Sequence, residues 1–294
     1  LATGIVLLQV AGNPYVTLLA KPGKESATLT LIQAFNSVAT TIAPPLGGAL
    51  ILVNVNTSLA ERISSVQMLY LGLAGFMILL AVTVAKIKLP DARKIAQAET
   101  EHNHDGKTSV WQYKHMVLGA VGIFCYVGAE VTIGSMMVNV LEKVAGIDQD
   151  KGANYLALYW GGAMVGRFVG FFIMDKVKAN RLLAFNASVA GALIVLAIVS
   201  GGKVAMWSLL AIGLFNSIMF PTIFSLGTHG LGKYTSQASG IICSAIVGGA
   251  LIPVVQGAFA DTIGLLPAYF VSAICYAYIV FFALKGYKVD EKTA

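Results

Sequence analysis

Charged side chains are scarce in this chain. Of its 294 residues, 12% are charged and 57% are hydrophobic, and the mean hydropathy is +0.77. A soluble globular domain carries about 25% charged residues. Half that fraction, together with apolar runs of about 20 residues, predicts a protein that crosses a bilayer several times. The net charge of +6 does not indicate a nucleic-acid partner, because the cations lie in short loops between apolar runs.

Cysteine is also rare. The three cysteines, Cys125, Cys243 and Cys275, all lie inside apolar runs, and no CxxC pair occurs. This pattern excludes a disulfide framework and favours three small core residues.

Motifs of nucleotide binding and hydrolysis are missing. The sequence has no G-x-x-x-x-G-K-[ST] loop, no H-E-x-x-H and no G-x-S-x-G, and it offers no Ser/His/Asp constellation. The HNHD cluster at 102–105 holds metal-ligand side chains, but no other group at ligand spacing supports it, so a solvated linker is favoured. We therefore predict no enzyme activity, no cofactor and no metal site.

Nine apolar runs are long enough to span a bilayer, and in hydrocarbon such segments must be helices. They lie at about residues 1–20, 29–53, 66–85, 116–140, 153–174, 182–200, 204–227, 236–259 and 265–284. The predicted fold class is all-α and polytopic. Because the sequence opens on LATGIVLLQV without Met, we expect a fragment that begins inside a helix.

Cations divide unevenly between the two ends of these helices. Fifteen fall in loops on the side of Lys21, and four fall on the other side, namely Arg62, Lys143, Lys151 and Lys203. The positive-inside rule makes the first side, and the C-terminus, cytoplasmic. Residues 1–85 are then the last three helices of an N-terminal bundle. Residues 86–115 form a cytoplasmic linker, and 116–294 form a six-helix C-terminal bundle with a short tail.

The run LTLIQAFNSVATTIAPPLGGALILV at 29–53 is the most informative stretch. It has no charge, yet Gln33, Asn36 or Ser37, and Thr40 follow helical spacing and share one face. Unpaired amides in hydrocarbon are costly, so this face must meet other helices or a wet cavity. Gln33 and Asn36 are predicted substrate contacts.

Two other runs pair polar groups with proline. Gln9 and Asn13 share a helix face just before Pro14. They are predicted to bind substrate, and an interhelical hydrogen bond is the alternative. Asn216 lies at the centre of its run, ahead of Pro221. A polar side chain followed by a helix break is typical of a substrate-binding helix. Asn216 is therefore a predicted substrate contact, and Pro221 is a predicted gate or packing residue.

Glu130 lies near the middle of the run 116–140, with Tyr126 one turn before it. A carboxylate at this depth is costly, and it is a functional hypothesis by default. Three roles compete: a proton carrier that couples transport, an acceptor for sugar hydroxyls, and a structural partner of a buried cation. We predict that Glu130 binds sugar hydroxyls and is the candidate for coupling.

The run 153–174 carries glycines at every fourth position, Gly162, Gly166 and Gly170. This spacing predicts a seam where two helix backbones pack closely. Arg167 and Asp175 lie toward the predicted cytoplasmic end. They would either hold one gate state through ion pairs or anchor the helix at the interface.

Several long segments together resemble one family. They are QVAGNPYVTLL (9–19), LTLIQAFNSVATTIAPPLGG (29–48), YVGAEVTIGS (126–135), YWGGAMVGRFVG (159–170) and FNSIMFPTIFSLG (215–227). The chain resembles the fucose–galactose–glucose:proton symporters of the major facilitator superfamily along essentially its whole length. The resemblance implies a twelve-helix, two-bundle fold, of which helices four to twelve are present, and alternating access around a central sugar site.

This resemblance carries over unevenly to single residues. The position of Gln9 is a proton-coupling glutamate in the fucose branch, and an amide cannot carry a proton. Gln33 and Asn36 match polar positions expected to line the sugar cavity. Phe220 matches a tyrosine near the sugar in the fucose branch, whereas Asn216 and Glu130 match the glucose/galactose-like pattern.

We therefore predict a monomeric hexose carrier of a bacterial inner membrane. It would be glucose/galactose-like and driven by cation symport, with the proton as the first candidate. Its partners would be the sugar, the coupling cation and the lipid bilayer. The alternatives are a sugar-binding sensor or scaffold without transport, a sodium-coupled or N-acetylhexosamine carrier, and an exporter of other solutes.

Overall fold

The structure, a computed structural model, describes residues 2–51, 59–88, 90, 107–147 and 149–289. Its α-helices, in chain order, are α1 (Ala2–Leu19), α2 (Glu25–Ile51), α3 (Leu59–Lys86), α4 (Lys114–Lys143), α5 (Gln149–Ile173), α6 (Ala179–Ser200), α7 (Gly202–Asn216), α8 (Met219–Thr228), α9 (Thr235–Ser244), α10 (Gly248–Ile263) and α11 (Phe270–Phe281). Short 3₁₀ turns cover Val110–Gln112, Gly232–Tyr234, Ala245–Val247 and Pro267–Tyr269, and a π-helix covers Phe282–Gly286. No strand occurs within these ranges.

In the part of the chain that the structure describes, each of the nine predicted spans falls mainly on helix. Among the described residues, seven stretches are long and apolar enough to cross a membrane: Val66–Lys86, Lys114–Lys143, Tyr155–Ile173, Ala179–Ser200, Gly202–Thr228, Gly232–Ile263 and Pro267–Gly286. Val6–Leu19 is a shorter apolar helix. The prediction of an all-α chain is confirmed for the described residues.

The chain forms two compact units. The first comprises Leu1–Ser37 and Arg93–Ala294, and the second comprises Val38–Ala92. In the second unit, α3 exposes nearly all of its described side chains. This division places α1 and the start of α2 with the C-terminal helices. The division into bundles 1–85 and 116–294 stays a prediction, and most of the linker 86–115, including the HNHD cluster, lies outside the described residues.

Within the first unit, α4 is the central helix and packs against α5, α8, α10 and α11. Small residues allow this close approach. A Cβ on Gly119 would lie 3.1 Å from the Cα of Gly227 in α8, and Gly248 lies directly against the backbone of Phe124. Because α4 is surrounded, side chains on it such as Tyr126 are buried within the unit.

The ends of α1 and α2 also pack in this unit. Helix α1 contacts α9 and α8. On α2, Leu29, Thr30 and Ala34 are fully buried. The polar face of α2 therefore begins beside the C-terminal helices.

The run 204–227 is interrupted after its central polar residue. Helix α7 ends at Asn216 and α8 begins at Met219. Pro221 has no N–H, so it cannot donate to the carbonyl of Ser217 four residues earlier. The helix break after Asn216 thus leaves one backbone carbonyl without its usual partner.

Candidate functional site

A buried hydrogen-bond network connects three helices of the first unit. Asn216 of α7 donates its amide to the Tyr159 hydroxyl of α5 (2.9 Å) and accepts from the Tyr276 hydroxyl of α11 (2.6 Å). All three side chains are fully buried. Both ends of the Asn216 amide are therefore used in fixing the two tyrosines.

Glu130 of α4 joins this network through tyrosines. The Tyr159 hydroxyl donates to its backbone carbonyl (3.1 Å), and the Tyr126 hydroxyl donates to its carboxylate (2.6 Å). Tyr126 is buried, whereas Glu130 keeps intermediate exposure. The carboxylate is therefore held at one oxygen and is not sealed in the core.

Arg167 of α5 connects the C-terminal helices to α2. Its Nε donates to the free carbonyl of Ser217 (3.1 Å), and its guanidinium also donates to the hydroxyl of Ser37. Ser37 in turn donates to the backbone carbonyl of Gln33 (2.9 Å). Within the described chain Arg167 forms no direct ion pair with Glu130.

The remaining predicted substrate residues lie on α1 and α2. Gln9 and Gln33 are partly exposed, and Asn36 is exposed. Asn13 is buried, and its amide nitrogen has no hydrogen-bond partner in the described part of the chain. The structure brings Glu130 and Asn216 together through Tyr159. Within the described chain no hydrogen bond joins these four amides to that pair, and their assignment as substrate contacts stays a prediction.

One end of the unit is closed by polar contacts. Lys24, between α1 and α2, forms an ion pair with Asp175, which follows α5 (2.6 Å). The hydroxyls of Ser26 and Ser225 are hydrogen-bonded between α2 and α8. Beside them lies a cavity of about 560 Å³, whose polar lining includes Glu25 and His229.

The glycine seam of α5 packs on α7 and the residues after it. A Cβ on Gly162 would lie 3.2 Å from the backbone nitrogen of Leu214. Gly166 lies against the Leu214 carbonyl and Ser217, and Gly170 lies against Ile218. The seam holds α5 close enough for Arg167 to reach Ser217.

No group of three or more His, Cys, Asp or Glu side chains with the geometry of a metal site occurs among the described residues. In the described part of the chain, the polar interior instead offers hydroxyls, amides, the Arg167 guanidinium and the Glu130 carboxylate. This is the chemistry of hydrogen-bonded recognition and proton transfer.

Sequence reasoning missed Tyr276, the role of Ser37 as a partner of Arg167, and the role of Lys24. Tyr276 has no distinguishing signal, because one tyrosine in an aromatic-rich helix looks like packing. Pro221 in the sequence implies that the Ser217 carbonyl lacks its helical donor. The sequence does not show that Arg167, in another helix, donates to this carbonyl instead.

Comparison with known proteins agrees with these features. The sequence model of the Major Facilitator Superfamily matches residues 1–246. A "Putative glucose/galactose transporter" of Helicobacter pylori is 53% identical over 305 residues, covering 100% of this chain and 74% of the relative. A "Glucose/galactose transporter" of Brucella abortus is 51% identical, covering 98% and 70%. An "L-fucose-proton symporter" of Escherichia coli is 30% identical, covering 96% and 69%.

A solved structure shows the same fold. The crystal structure of the transporter FucP in the outward conformation superposes with a TM-score of 0.84 at 28% identity, covering 96% of this chain and 73% of that one. The predicted family and all-α major facilitator fold are confirmed, and the numbering of the helices as four to twelve stays a prediction. The chain therefore belongs to the major facilitator superfamily, as an integral membrane protein and not an enzyme.

Proposed function

We propose that this chain belongs to a secondary carrier that takes up a glucose- or galactose-like hexose together with a proton. The sugar class rests on the similarity to transporters named for glucose and galactose, which extends over the whole chain. Absence of a phosphate-binding loop in the sequence favours an ion gradient as the driving force.

The observation that carries the coupling mechanism is the position of Glu130. It is a mid-span carboxylate with partial exposure, held by one hydrogen bond from Tyr126. Carboxylates inside a membrane mark proton relays. Glu130 is the proton carrier in this proposal, and Tyr126 fixes its orientation.

Arg167 links the charge of Glu130 to the contact between α5 and α2. In this proposal the Arg167 guanidinium is attracted through space to the Glu130 carboxylate, while it donates a hydrogen bond to Ser37. Protonation of Glu130 neutralises its carboxylate, which then no longer attracts the Arg167 guanidinium. The contact between Arg167 and α2 therefore depends on whether Glu130 is protonated. Alternating access requires a helix contact that changes in this way.

The closed end of the unit is the cytoplasmic gate in this proposal. There, the ion pair Lys24–Asp175 and the hydrogen bond Ser26–Ser225 join the start of α2 to the end of α5 and to α8. The similar FucP structure is described as outward. The structure then represents an outward-facing state. Gln9, Asn13, Gln33 and Asn36 contact sugar hydroxyls, and Asn216 positions the tyrosines behind them.

Uptake by the full-length carrier in sealed proteoliposomes tests this function. Glucose, galactose, fucose and N-acetylglucosamine are each supplied with an inward proton gradient and then with an inward sodium gradient. We expect glucose or galactose to accumulate with the proton gradient, and a protonophore to abolish the accumulation.

The other outcomes separate the alternatives. Accumulation that needs sodium contradicts proton coupling and leaves the sugar assignment intact. Accumulation of N-acetylglucosamine alone contradicts the hexose assignment. Binding without accumulation under either gradient contradicts transport and supports a sensor.

A further inference from the structure

Two of the three cysteines meet across a pair of packed helices. Cys125 lies on α4 and Cys275 lies on α11, and their side chains are hydrogen-bonded to each other. Both are free thiols. The proposed transport cycle assigns no role to this pair.

The packing of α4 on α11 brings these two positions together. Gly122, near the start of α4, faces Phe282, directly after the end of α11, and a Cβ on Gly122 would lie 3.8 Å from the Phe282 ring. Because α11 packs along α4 from this point, the two helices run antiparallel. Cys125 is one turn beyond Gly122, and Cys275 is two turns before Phe282. Each cysteine therefore lies on the face of its helix that meets the other helix.

The two thiols differ in their accessibility. Cys275 is 4% exposed and belongs to the apolar core of the first unit. Cys125 packs against that core and keeps intermediate exposure. A small membrane-permeant molecule can therefore reach Cys125 first and then the thiol beside it.

The surroundings of the pair limit the chemistry of a ligand. Zn²⁺ takes four protein ligands in a closed site, and within the described chain no third His, Cys, Asp or Glu side chain completes a metal site. Copper(I) on two thiolates would carry a net negative charge, which is costly in an apolar core. A trivalent arsenical with one organic group needs only two sulfurs, and its product with two thiols is uncharged.

Trivalent arsenic also fits the contact between the two thiols. Its two As–S bonds are bent, so both sulfurs lie on one side of the arsenic and close to each other, as hydrogen-bonded thiols do. Mercury(II), by contrast, holds two sulfurs on opposite sides and would have to force them apart. The contact between α4 and α11 thus favours a bent bridge.

We propose that Cys125 and Cys275 form a dithiol site that binds trivalent organoarsenicals. The Cys125 sulfur displaces one hydroxide from arsenic, and this hydroxide leaves as water with the thiol proton. The Cys275 sulfur displaces the second hydroxide in the same way. Two As–O bonds break and two As–S bonds form, arsenic stays trivalent, and no oxidant is needed. The bridge joins α4 to α11 one residue away from Tyr126 and Tyr276 of the polar network.

Intact-protein mass spectrometry of the full-length carrier in detergent tests this site. The reduced protein is treated with phenylarsine oxide, which carries two hydroxides on arsenic when hydrated, and then with rising concentrations of β-mercaptoethanol. C125S and C275S are the test variants. C243S is the matched control, because Cys243 is also 4% exposed. Thermal unfolding of each untreated variant establishes that it is folded.

We expect one phenylarsenic group that resists the monothiol. Because two sulfurs of one site hold the arsenic, removal of half the label from the parent should need about 100-fold more β-mercaptoethanol than removal from C125S or C275S. C243S should behave like the parent. Dimercaptopropanol, itself a dithiol, should remove the label from both.

The modified parent provides a test that does not depend on the folding of a variant. Digestion with pepsin in the absence of reductant should release two peptides joined through one phenylarsenic group. One peptide should contain Cys125 and the other should contain Cys275.

Three results would overturn the proposal. One is a label that C125S or C275S retains against β-mercaptoethanol as strongly as the parent does. A second is loss of that resistance in folded C243S. A third is a digest in which the joined peptides include Cys243 or in which no joined peptides occur.

Discussion

Arg167 donates its Nε–H to the carbonyl of Ser217, the carbonyl that Pro221 cannot reach as a helical donor. A break in one helix therefore creates the acceptor for a cation on another. The same guanidinium donates to the hydroxyl of Ser37 of α2. Arg167 thus connects the helix break with the neighbouring helix α2.

Replacing Pro221 should weaken this connection. In P221A the new N–H competes with Arg167 for the Ser217 carbonyl. Loss of about 1 kcal/mol from that hydrogen bond should lower the initial rate of sugar uptake about fivefold, without loss of thermal stability. P253A in α10 is the control, since it removes another helix proline. Normal uptake by P221A would contradict the role of the free carbonyl.

The glycine seam predicts a steric difference between neighbouring positions. A Cβ on Gly166 would press on the Leu214 carbonyl and lie 2.7 Å from the Ser217 Cβ, whereas one on Gly161 meets nothing within 4 Å. G166A should therefore cost about 1–3 kcal/mol, and G161A should be neutral or stabilising. Thermal unfolding in detergent measures both, and equal midpoints for the two variants would contradict the seam.

The Lys24–Asp175 ion pair should affect conformation more than stability. Its side chains are 40% and 53% exposed, so its contribution to stability is about 1 kcal/mol or less. D175N should nevertheless open the proposed cytoplasmic gate more often. The reporter is A27C, at a position that is 4% exposed at the start of α2, and its labelling by a membrane-impermeant maleimide should accelerate up to about fivefold.

The charge swap K24D/D175K should return this labelling to the rate of the parent protein, and D261N on α10 should leave it unchanged. If D175N and D261N label alike, the ion pair is not a gate contact.

Two buried tyrosines on neighbouring segments differ in their hydroxyl partners. Tyr276 donates to Asn216, whereas the Tyr269 hydroxyl has no partner in the described part of the chain. Y276F should therefore destabilise the protein by about 1 kcal/mol, or about 2 °C in midpoint. Y269F should be neutral or stabilising, because it removes an unsatisfied polar group. The reverse order of midpoints would contradict the network.

The sequence alone could predict the helices, because bilayer-length apolar runs leave the backbone no alternative. The sequence could also locate Glu130 and the glycine seam, because a charge in the middle of an apolar run and a four-residue spacing can both be read from the sequence. The partners of these residues were not predictable. Nothing in the local sequence shows that Asn216 lies between Tyr159 and Tyr276.

The role of Asn216 shows this limit most clearly. Its position before Pro221 indicated a substrate-binding helix, and this assignment stays a prediction. In the folded chain its amide nitrogen donates to Tyr159 and its amide oxygen accepts from Tyr276. Gln33 and Asn36 remain predicted sugar contacts because they lie on the open polar face of α2. Asn216 differs from Gln33 and Asn36 in its burial and in its long-range hydrogen-bond partners, and only the fold shows these differences.

The central claim is that Glu130 couples sugar movement to the proton. The most direct measurement compares E130Q with its parent in proteoliposomes, for accumulation under a proton gradient and for sugar exchange without one. We predict that E130Q loses accumulation but keeps exchange within about tenfold, because an amide preserves shape and cannot carry the proton. E142Q, on the same helix, should retain both activities. Accumulation by E130Q at the parent level and with the parent's pH dependence would contradict the account.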